Sequence, residues 1–296
     1  MKLGSTAFKT LAVGVTLLNC VAASALSWYD RFDDAIRRFL VSGVDTSYVT
    51  FSANSWEMPM VLNSYGQAYR LTLDNGETVR LESGEVREAG IGIGYHGLDY
   101  VQTFSLPGKS LNKHFEFNFY DSSWGLQIIN SEEEFDNQGL AARTLTLSGY
   151  VAFNGRHFSY PAAYYGNYIQ KRSAGSPMIY FWYDHSRVWD MGISATKLLS
   201  EERRIDNIAV CGGYAYNWAF NGGKTVVNVS GAAGIVVPYW GGAVELRAGM
   251  MHWLGRNFHI SLASTQYGSM GWQNGELFSA HEWLTCLYLT WCFGIR

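Results

Sequence analysis

The sequence predicts an all-β fold: a closed antiparallel transmembrane β-barrel of about twelve strands (ten to fourteen), preceded by a short N-terminal amphipathic helix. Three observations lead to this prediction. Bulky apolar residues alternate with small or polar ones, as the two faces of a strand require. Short turns alternate with longer polar segments, and the chain begins with a secretion signal. Only a closed barrel satisfies the backbone of every strand within lipid.

Residues 1–25 have the pattern of a secretory signal peptide, with two lysines before an apolar run at 11–23 and cleavage expected after Ala25. A lipoprotein signal at Cys20 is the alternative, and Asn19 before it disfavours that alternative. The apolar run is shorter than the ~20 residues of a membrane-spanning helix. Cleavage would leave 20 basic and 25 acidic side chains, a net charge of −5, which does not suggest a nucleic-acid partner.

The composition fits a folded protein that borders both water and an apolar phase. Hydrophobic residues make up 48% and charged residues only 16%, which excludes a disordered polymer. Aromatic residues make up 16%, and their amphipathic rings favour membrane interfaces.

The segment 26–44 is predicted to be helical. Trp28, Phe32, Ile36 and Phe39 recur at helical spacing, and Gly43 ends the pattern. Such a helix could act as a plug or interfacial anchor near a barrel mouth, or simply cover apolar surface. The predicted organisation is a signal peptide at 1–25, a periplasmic helix and leading segment at 26–57, and the barrel at 58–296.

The strand pattern is clearest at 113–120 and 208–220. Three phenylalanines, at 115, 117 and 119, alternate with polar residues. From Ile208 to Phe220 the even positions carry mostly large apolar residues and the odd positions mostly small ones. In a bacterial outer-membrane barrel the bulky face meets lipid and the small or polar face lines the lumen. A soluble sandwich or lipocalin-like barrel is the alternative, but it would leave the small face, rich in glycine and alanine, on the surface.

Turn lengths support the same orientation. Short turns are predicted at 96–97, 121–123, 154–155, 221–223 and 255–256, and long polar loops at 74–88, 129–142, 184–206 and 264–282. Short periplasmic turns and long external loops are typical of outer-membrane barrels. The strand count reaches twelve if residues 157–187 contribute one interrupted strand.

Four segments carry a family resemblance: "SGVDTSYV" (42–49), "FSYPAAYYGNYIQKRSAGSP" (158–177), "YAYNWAF" (214–220) and "VVNVSGAAG" (226–234). In this order they resemble the Bacteroidota proteins catalogued as domain of unknown function 4421. The resemblance implies an outer-membrane β-barrel and supplies no catalytic residue. Pro161 departs from the family pattern, where a basic residue is expected.

Catalytic motifs are weak. The glycines of 90–97 do not precede a predicted helix and so do not indicate a nucleotide loop. Asn154, His157 and Ser159 match, in residue type only, the catalytic set of outer-membrane phospholipase, which raises the hypothesis of a lipid hydrolase. Asn154 also suits a tight periplasmic turn, which lies far from the outer leaflet. Enzymatic activity therefore stays open and is not favoured.

No metal or cofactor is predicted. The seven histidines show no HExxH motif and no close histidine–cysteine spacing. Cys286 and Cys292 lie six residues apart on one predicted strand, roughly 20 Å, too far for a disulfide. A bond from Cys211 to one of them stays open.

Charged residues on predicted inward faces are Arg70, Glu116, Asp184, Glu245 and Arg247. Buried charges need partners or water. Mutual pairing that locks a filled barrel is favoured over a selective pore, because twelve strands enclose a narrow lumen.

The sequence thus favours a structural or passive-transport (porin-like) role. The alternatives are a lipid hydrolase and a protein that binds partners through the long loops at 184–205 and 266–282. Expected partners are outer-membrane lipid, the barrel-assembly machinery during insertion, and small solutes or lipopolysaccharide.

Overall fold

The computed structural model describes residues 28–72, 76–106, 113–135, 139–191, 199, 201–238, 240–273 and 276–294. The predicted signal peptide lies outside these residues. An α-helix, α1, spans residues 28–40 and confirms the predicted helix. Within it, Asp33 and Arg37 form an ion pair one turn apart, at 2.8 Å between Oδ2 and Nε. No helix in the described part of the chain is long and apolar enough to cross a membrane.

The rest of the described chain is built almost entirely from antiparallel strands. Their bounds are β1 (Val49–Phe51), β2 (Trp56–Thr72), β3 (Thr78–Glu82), β4 (Val86–Tyr95), β5 (Leu98–Ser105), β6 (Lys113–Tyr120), β7 (Trp124–Phe135), β8 (Leu140–Ala152), β9 (Tyr168–Gln170), β10 (Ala174–Asp190), β11 (Arg203–Phe220), β12 (Thr225–Val237), β13 (Gly241–Trp253), β14 (Phe258–Gln273) and β15 (Glu276–Phe293).

These strands form a closed barrel with twelve strand positions, which we call staves. This architecture confirms the predicted fold. Consecutive strands pair from β4 round to β15, with β9 left out, and β15 closes the ring on β2. The short β3 pairs with the second half of β2 and β4 with the first half, so these two strands share one stave. Because β2 begins where β15 ends, we call that end the proximal end and the opposite one the distal end.

The faces of the strands follow the predicted orientation. On β11, Tyr214 and Trp218 are 52% and 41% exposed, whereas Ala215 between them is fully buried. The same alternation places Phe117 of β6 outside and its neighbours Glu116 and Asn118 in the lumen. Closure therefore puts the bulky face on the outside of the barrel.

Strand β2 has the opposite orientation to the predicted one, in which Arg70 faces the lumen. Val61 and Tyr65 face the lumen, and Met60 and Leu62 face outward. The Tyr65 hydroxyl donates a hydrogen bond to the lumen carboxylate of Glu88, at 3.4 Å. Tyrosine carries a polar group at the end of an apolar ring, so it suits an acidic lumen as well as a lipid boundary.

The short proximal turns predicted at 96–97, 121–123, 221–223 and 255–256 are confirmed, whereas the predicted lengths are wrong for distal loops and for the proximal connection after β8. At the distal end β10 runs to Asp190, β14 reaches Gln273 and β15 begins at Glu276, so strand covers most of the segments expected to be long loops. At the proximal end, β8 and β10 are separated by residues 153–173, the longest separation between consecutive staves. Residues 157–187 are therefore not one interrupted strand, because only their second half belongs to the barrel wall.

Candidate functional site in the barrel lumen

The segment between β8 and β10 folds back into the proximal end of the lumen. We call residues 157–170 the lumen plug. It contains a 3-10 helix at Tyr160–Ala163 and strand β9, which pairs with β1 rather than with the barrel. Phe158 and Tyr164 are at most 3% exposed. An internal segment so deeply buried has to be enclosed by the wall.

Lumen-facing polar side chains from several staves hold the plug. Asn217 of β11 donates its amide to the Ser159 carbonyl at 2.7 Å, and the Tyr164 hydroxyl donates to Asn228 Oδ1 of β12 at 2.5 Å. Ser261 of β14 donates to the Tyr164 carbonyl at 3.0 Å. Burial raises the pKa of Tyr164, so its hydroxyl stays protonated and able to donate.

Glycine occurs at two positions where the plug and the barrel wall approach each other closely. A Cβ atom on Gly249 of β13 would lie 2.1 Å from the Tyr164 ring, well inside van der Waals contact. Within the plug itself, a Cβ on Gly166 would lie 2.6 Å from His259 Nε2 of the wall. Pro161 fits the first turn of the 3-10 helix because its fixed φ suits that position.

Arg247 caps the plug from the lumen side. Its guanidinium carbon lies 4.1 Å from the centroid of the Tyr164 ring and 5.6 Å from that of Tyr160, within the range of cation–π attraction. Its Nε has no hydrogen-bond partner among the residues that the structure describes. The guanidinium of Arg247 thus lies against the aromatic faces of two plug tyrosines.

Beyond the plug lies a cavity of about 240 Å³ with an acidic lining. Plug tyrosines form part of its wall, and the lining carboxylates are those of Glu116, Glu133, Asp184, Glu245 and Glu282. Arg247 is the one arginine or lysine among its described lining residues. A cavity with this balance favours cations and hydrogen-bond donors over anions.

Neutral donors satisfy several of these carboxylates. Gln127 donates to Glu116 at 2.6 Å, Thr146 to Asp184 at 2.6 Å, and Tyr69 to Glu282 at 2.8 Å. Hydrogen bonds of this kind lower the cost of placing a carboxylate away from bulk water. Several carboxyl groups of the cavity therefore have hydrogen-bond partners, although only one cationic side chain lines it among the described residues.

An apolar cluster crosses the lumen at the distal end; we call it the distal cluster. Its larger members are Leu81, Phe135, Leu140, Val188, Leu199, Ile205 and Phe278. They come from β3, β7, β8, β10, β11 and β15, which lie on different sides of the barrel, and Leu199 comes from the connection between β10 and β11. The cavity is therefore bounded by the plug on one side and by packed apolar side chains on the other.

A family described as Domain of unknown function (DUF4421) matches residues 43–288 of this sequence. The chain belongs to the DUF4421 family. Its match covers every stave of the barrel except the last residues of β15. None of the curated proteins matches this sequence.

Solved outer-membrane barrels resemble the DUF4421 barrel in fold. The translocator domain of autotransporter NalP from Neisseria meningitidis is 10% identical, with a TM-score of 0.41, and the match covers 94% of this chain and 99% of that one. The outer membrane protease OmpT from Escherichia coli is 8% identical, with a TM-score of 0.36 and coverage of 82% and 98%. A Pseudomonas aeruginosa FadL homologue is 7% identical, with a TM-score of 0.31 and coverage of 81% and 90%.

Four of the five predicted lumen charges lie on the lumen face of the DUF4421 barrel and line its cavity: Glu116, Asp184, Glu245 and Arg247. Arg70 differs: it is exposed on the outer face of β2, because that strand is turned by one residue relative to the prediction. The expected pairing of charges does not take the form of a direct ion pair at Arg247. No carboxylate lies within ion-pair distance of Arg247 among the described residues, so hydrogen bonds and cation–π contacts replace it.

The hydrolase candidates do not assemble a catalytic set. His157 Nδ1 lies 3.3 Å from Asn154 Oδ1, and its Nε2 lies 3.5 Å from Asp45. A hydrogen bond from Ser47 lowers the pKa of Asp45, which keeps a negative charge beside this imidazole. Ser159 is fully buried, and its Oγ has no hydrogen-bond partner in the described part of the chain. Both ring nitrogens of His157 face other groups, so His157 is not placed to activate Ser159.

A second group of chemical interest lies in the proximal wall of the DUF4421 barrel. Glu57, His259 and Cys292, from the adjacent staves β2, β14 and β15, bring one potential ligand atom each within 4.8 Å of one another. Sequence reasoning missed this group because its members are far apart in the chain and follow no spacing motif. Cys211, Cys286 and Cys292 are all free thiols, so Cys292 remains available to a metal.

Proposed function

We propose that this DUF4421 protein is inserted in the bacterial outer membrane, after cleavage of a signal peptide near Ala25 and with help from the barrel-assembly machinery. The support is the outer surface of the closed barrel. Large apolar side chains such as Ile91, Leu246 and Trp218 are 41–58% exposed on it. Continuous apolar surface of this kind is stable in lipid and unfavourable in water. The family resemblance supports an origin in Bacteroidota.

Within the membrane we propose a gated passage for small cationic solutes. One observation carries this proposal: a carboxylate-rich cavity lies between the plug and the distal cluster. Carboxylates lining a narrow pore attract cations and repel anions. The plug is a connection between two staves, so it can leave the lumen without breaking a pair of the barrel ladder.

Two other roles have weaker support. The hydrolase would need Ser159 beside a free base, and His157 is engaged elsewhere. Binding of partners through long external loops would need loops at 266–282 and 184–205. The first of these segments is mostly strand and the second is partly strand.

Ion selectivity tests the proposal. The variant to use is an opened barrel, in which a short glycine–serine linker replaces residues 158–167 and Phe135 and Phe278 are changed to Ala. In planar bilayers with a salt gradient, we expect its reversal potential to show cation selectivity. Neutralising the cavity by Glu116→Gln, Glu133→Gln, Asp184→Asn, Glu245→Gln and Glu282→Gln should remove that preference.

The matched control neutralises two exposed carboxylates, by Glu82→Gln with Glu85→Gln, and should leave selectivity unchanged. An opened barrel that inserts and conducts without preferring cations would contradict the proposed cargo. An inserted opened barrel without current would contradict the passage itself, and a purely structural role would then stand.

A further inference from the structure

The proximal wall holds a compact group of three metal-ligating side chains. Glu57 and Cys292 are directly paired across β2 and β15, and His259 lies on β14, the next stave. Their exposures are 4%, 0% and 1%, so all three are shielded from solvent. The group is separate from the acidic cavity, since none of its members lines that cavity.

His259 is left with unmet hydrogen-bonding capacity. Neither Nδ1 nor Nε2 has a partner among the residues that the structure describes. Its ring packs against Trp253, with centroids 5.0 Å apart, which fixes its position without satisfying a nitrogen. Buried polar atoms in native proteins are nearly always partnered, so an orphaned imidazole in a protein core points to a ligand.

A second buried acid lies near Glu57. Glu57 interacts electrostatically with Asp99, and both carboxyl groups are buried. Asp99 accepts a hydrogen bond from the Tyr120 hydroxyl, but neither acid has an ion-pair partner in the described part of the chain. A cation bound at the group would interact favourably with both acids.

The plug lies directly over these side chains. A Cβ on Gly166 would come within 2.6 Å of His259 Nε2 and 2.8 Å of Glu57 Oε1. The neighbouring Asn167 amide lies 2.8 Å from the Tyr120 hydroxyl. Only glycine at 166 lets the plug backbone pass this close to the wall.

We propose that Glu57, His259 and Cys292 form a Zn²⁺ site in the proximal wall beneath the plug. Zinc takes thiolate, imidazole and carboxylate ligands together, at about 2.0–2.3 Å, whereas Ca²⁺ and Mg²⁺ prefer oxygen alone. Tetrahedral bonds of that length separate ligand atoms by roughly 3.3–3.8 Å, so side chains whose ligand atoms lie within 4.8 Å need to close in by only about 1 Å. Binding releases the Cys292 thiol proton to solvent.

The test is zinc stoichiometry of the full barrel, refolded into detergent with ZnCl₂ and then dialysed. We expect one Zn²⁺ per chain by elemental analysis for the wild type. His259→Gln and Cys292→Ser should each weaken binding by at least about 10–100-fold, because each removes a direct ligand. Substitution with Co²⁺ should give thiolate-to-cobalt charge-transfer absorption that Cys292→Ser abolishes.

Cys286→Ser is the matched control, because Cys286 is a buried, lumen-facing cysteine of the same strand outside the group. It should keep full zinc stoichiometry and the cobalt spectrum. Heat-modifiable gel mobility confirms that each variant has folded. A folded wild type without zinc, or equal zinc in folded His259→Gln and Cys292→Ser barrels, would overturn the assignment. These readouts need no current, so they stand apart from the test of the passage.

Discussion

The two ends of the lumen are closed in physically different ways. At the proximal end a separate segment of chain is inserted and held by hydrogen bonds and an arginine–tyrosine contact. At the distal end the staves close the lumen with their own apolar side chains. A segment held by a few polar contacts can be displaced as a unit, whereas packed apolar side chains open only by local rearrangement and wetting. The lumen is thus closed in two different ways in series, and in the proposed passage these two closures would act as gates.

The largest expected effect comes from the distal cluster. Phe135 is 2% exposed, so Phe135→Ala should lower the free energy of unfolding by about 3–5 kcal/mol through lost burial and a new cavity. Urea unfolding of the barrel in detergent measures this loss. Phe153→Ala, at an exposed phenylalanine, is the control and should cost clearly less; equal losses would show that the distal cluster is not packed.

A smaller effect is expected where the plug meets the wall. Gly249→Ala places a methyl group against the Tyr164 ring, and overpacking of this kind costs about 1–3 kcal/mol. Limited proteolysis within residues 157–170 should become faster as the plug loosens. Gly212→Ala is the control, because a Cβ atom there meets nothing within 4 Å. This variant should leave the free energy of unfolding and the rate of proteolysis unchanged. A Gly249→Ala variant with unchanged stability and unchanged proteolysis would contradict the close fit of the plug.

The smallest effect concerns one hydrogen bond. Tyr164→Phe removes the donor to Asn228 and should cost about 1 kcal/mol, the usual net value of a buried hydrogen bond. The ring and its contact with Arg247 remain. Tyr214→Phe, on the outer face, serves as the comparison in the same unfolding experiment and should change stability less. Losses of the same size would mean that the Tyr164 hydroxyl does not anchor the plug.

Sequence alternation was sufficient to predict the barrel, its strand number and the outward face of most staves. It failed on β2 because Tyr65 and Tyr69 face the lumen and donate hydrogen bonds to acids there. It failed on the plug for another reason. Residues 157–170 are small and aromatic like a stave, and their position depends on Asn217, Asn228 and Ser261, which are distant in the chain.

The lumen charges were largely predictable because period two fixes which side chains share a face. The groups that contact these charges could not be predicted from the sequence. Pairing depends on strand register and on the plug, so Arg247 was expected to meet an acid and instead stacks on Tyr164. Glu57, His259 and Cys292 escaped notice for the same reason, because only the closure of β15 on β2 brings them together.

Single-channel conductance tests the two-gate arrangement most directly, in four barrels: wild type, plug replaced, Phe135→Ala with Phe278→Ala, and both changes together. We expect steady current above leak only when both gates are opened. Steady conductance of the wild type, or a doubly opened barrel that conducts no better than either single variant, would contradict it.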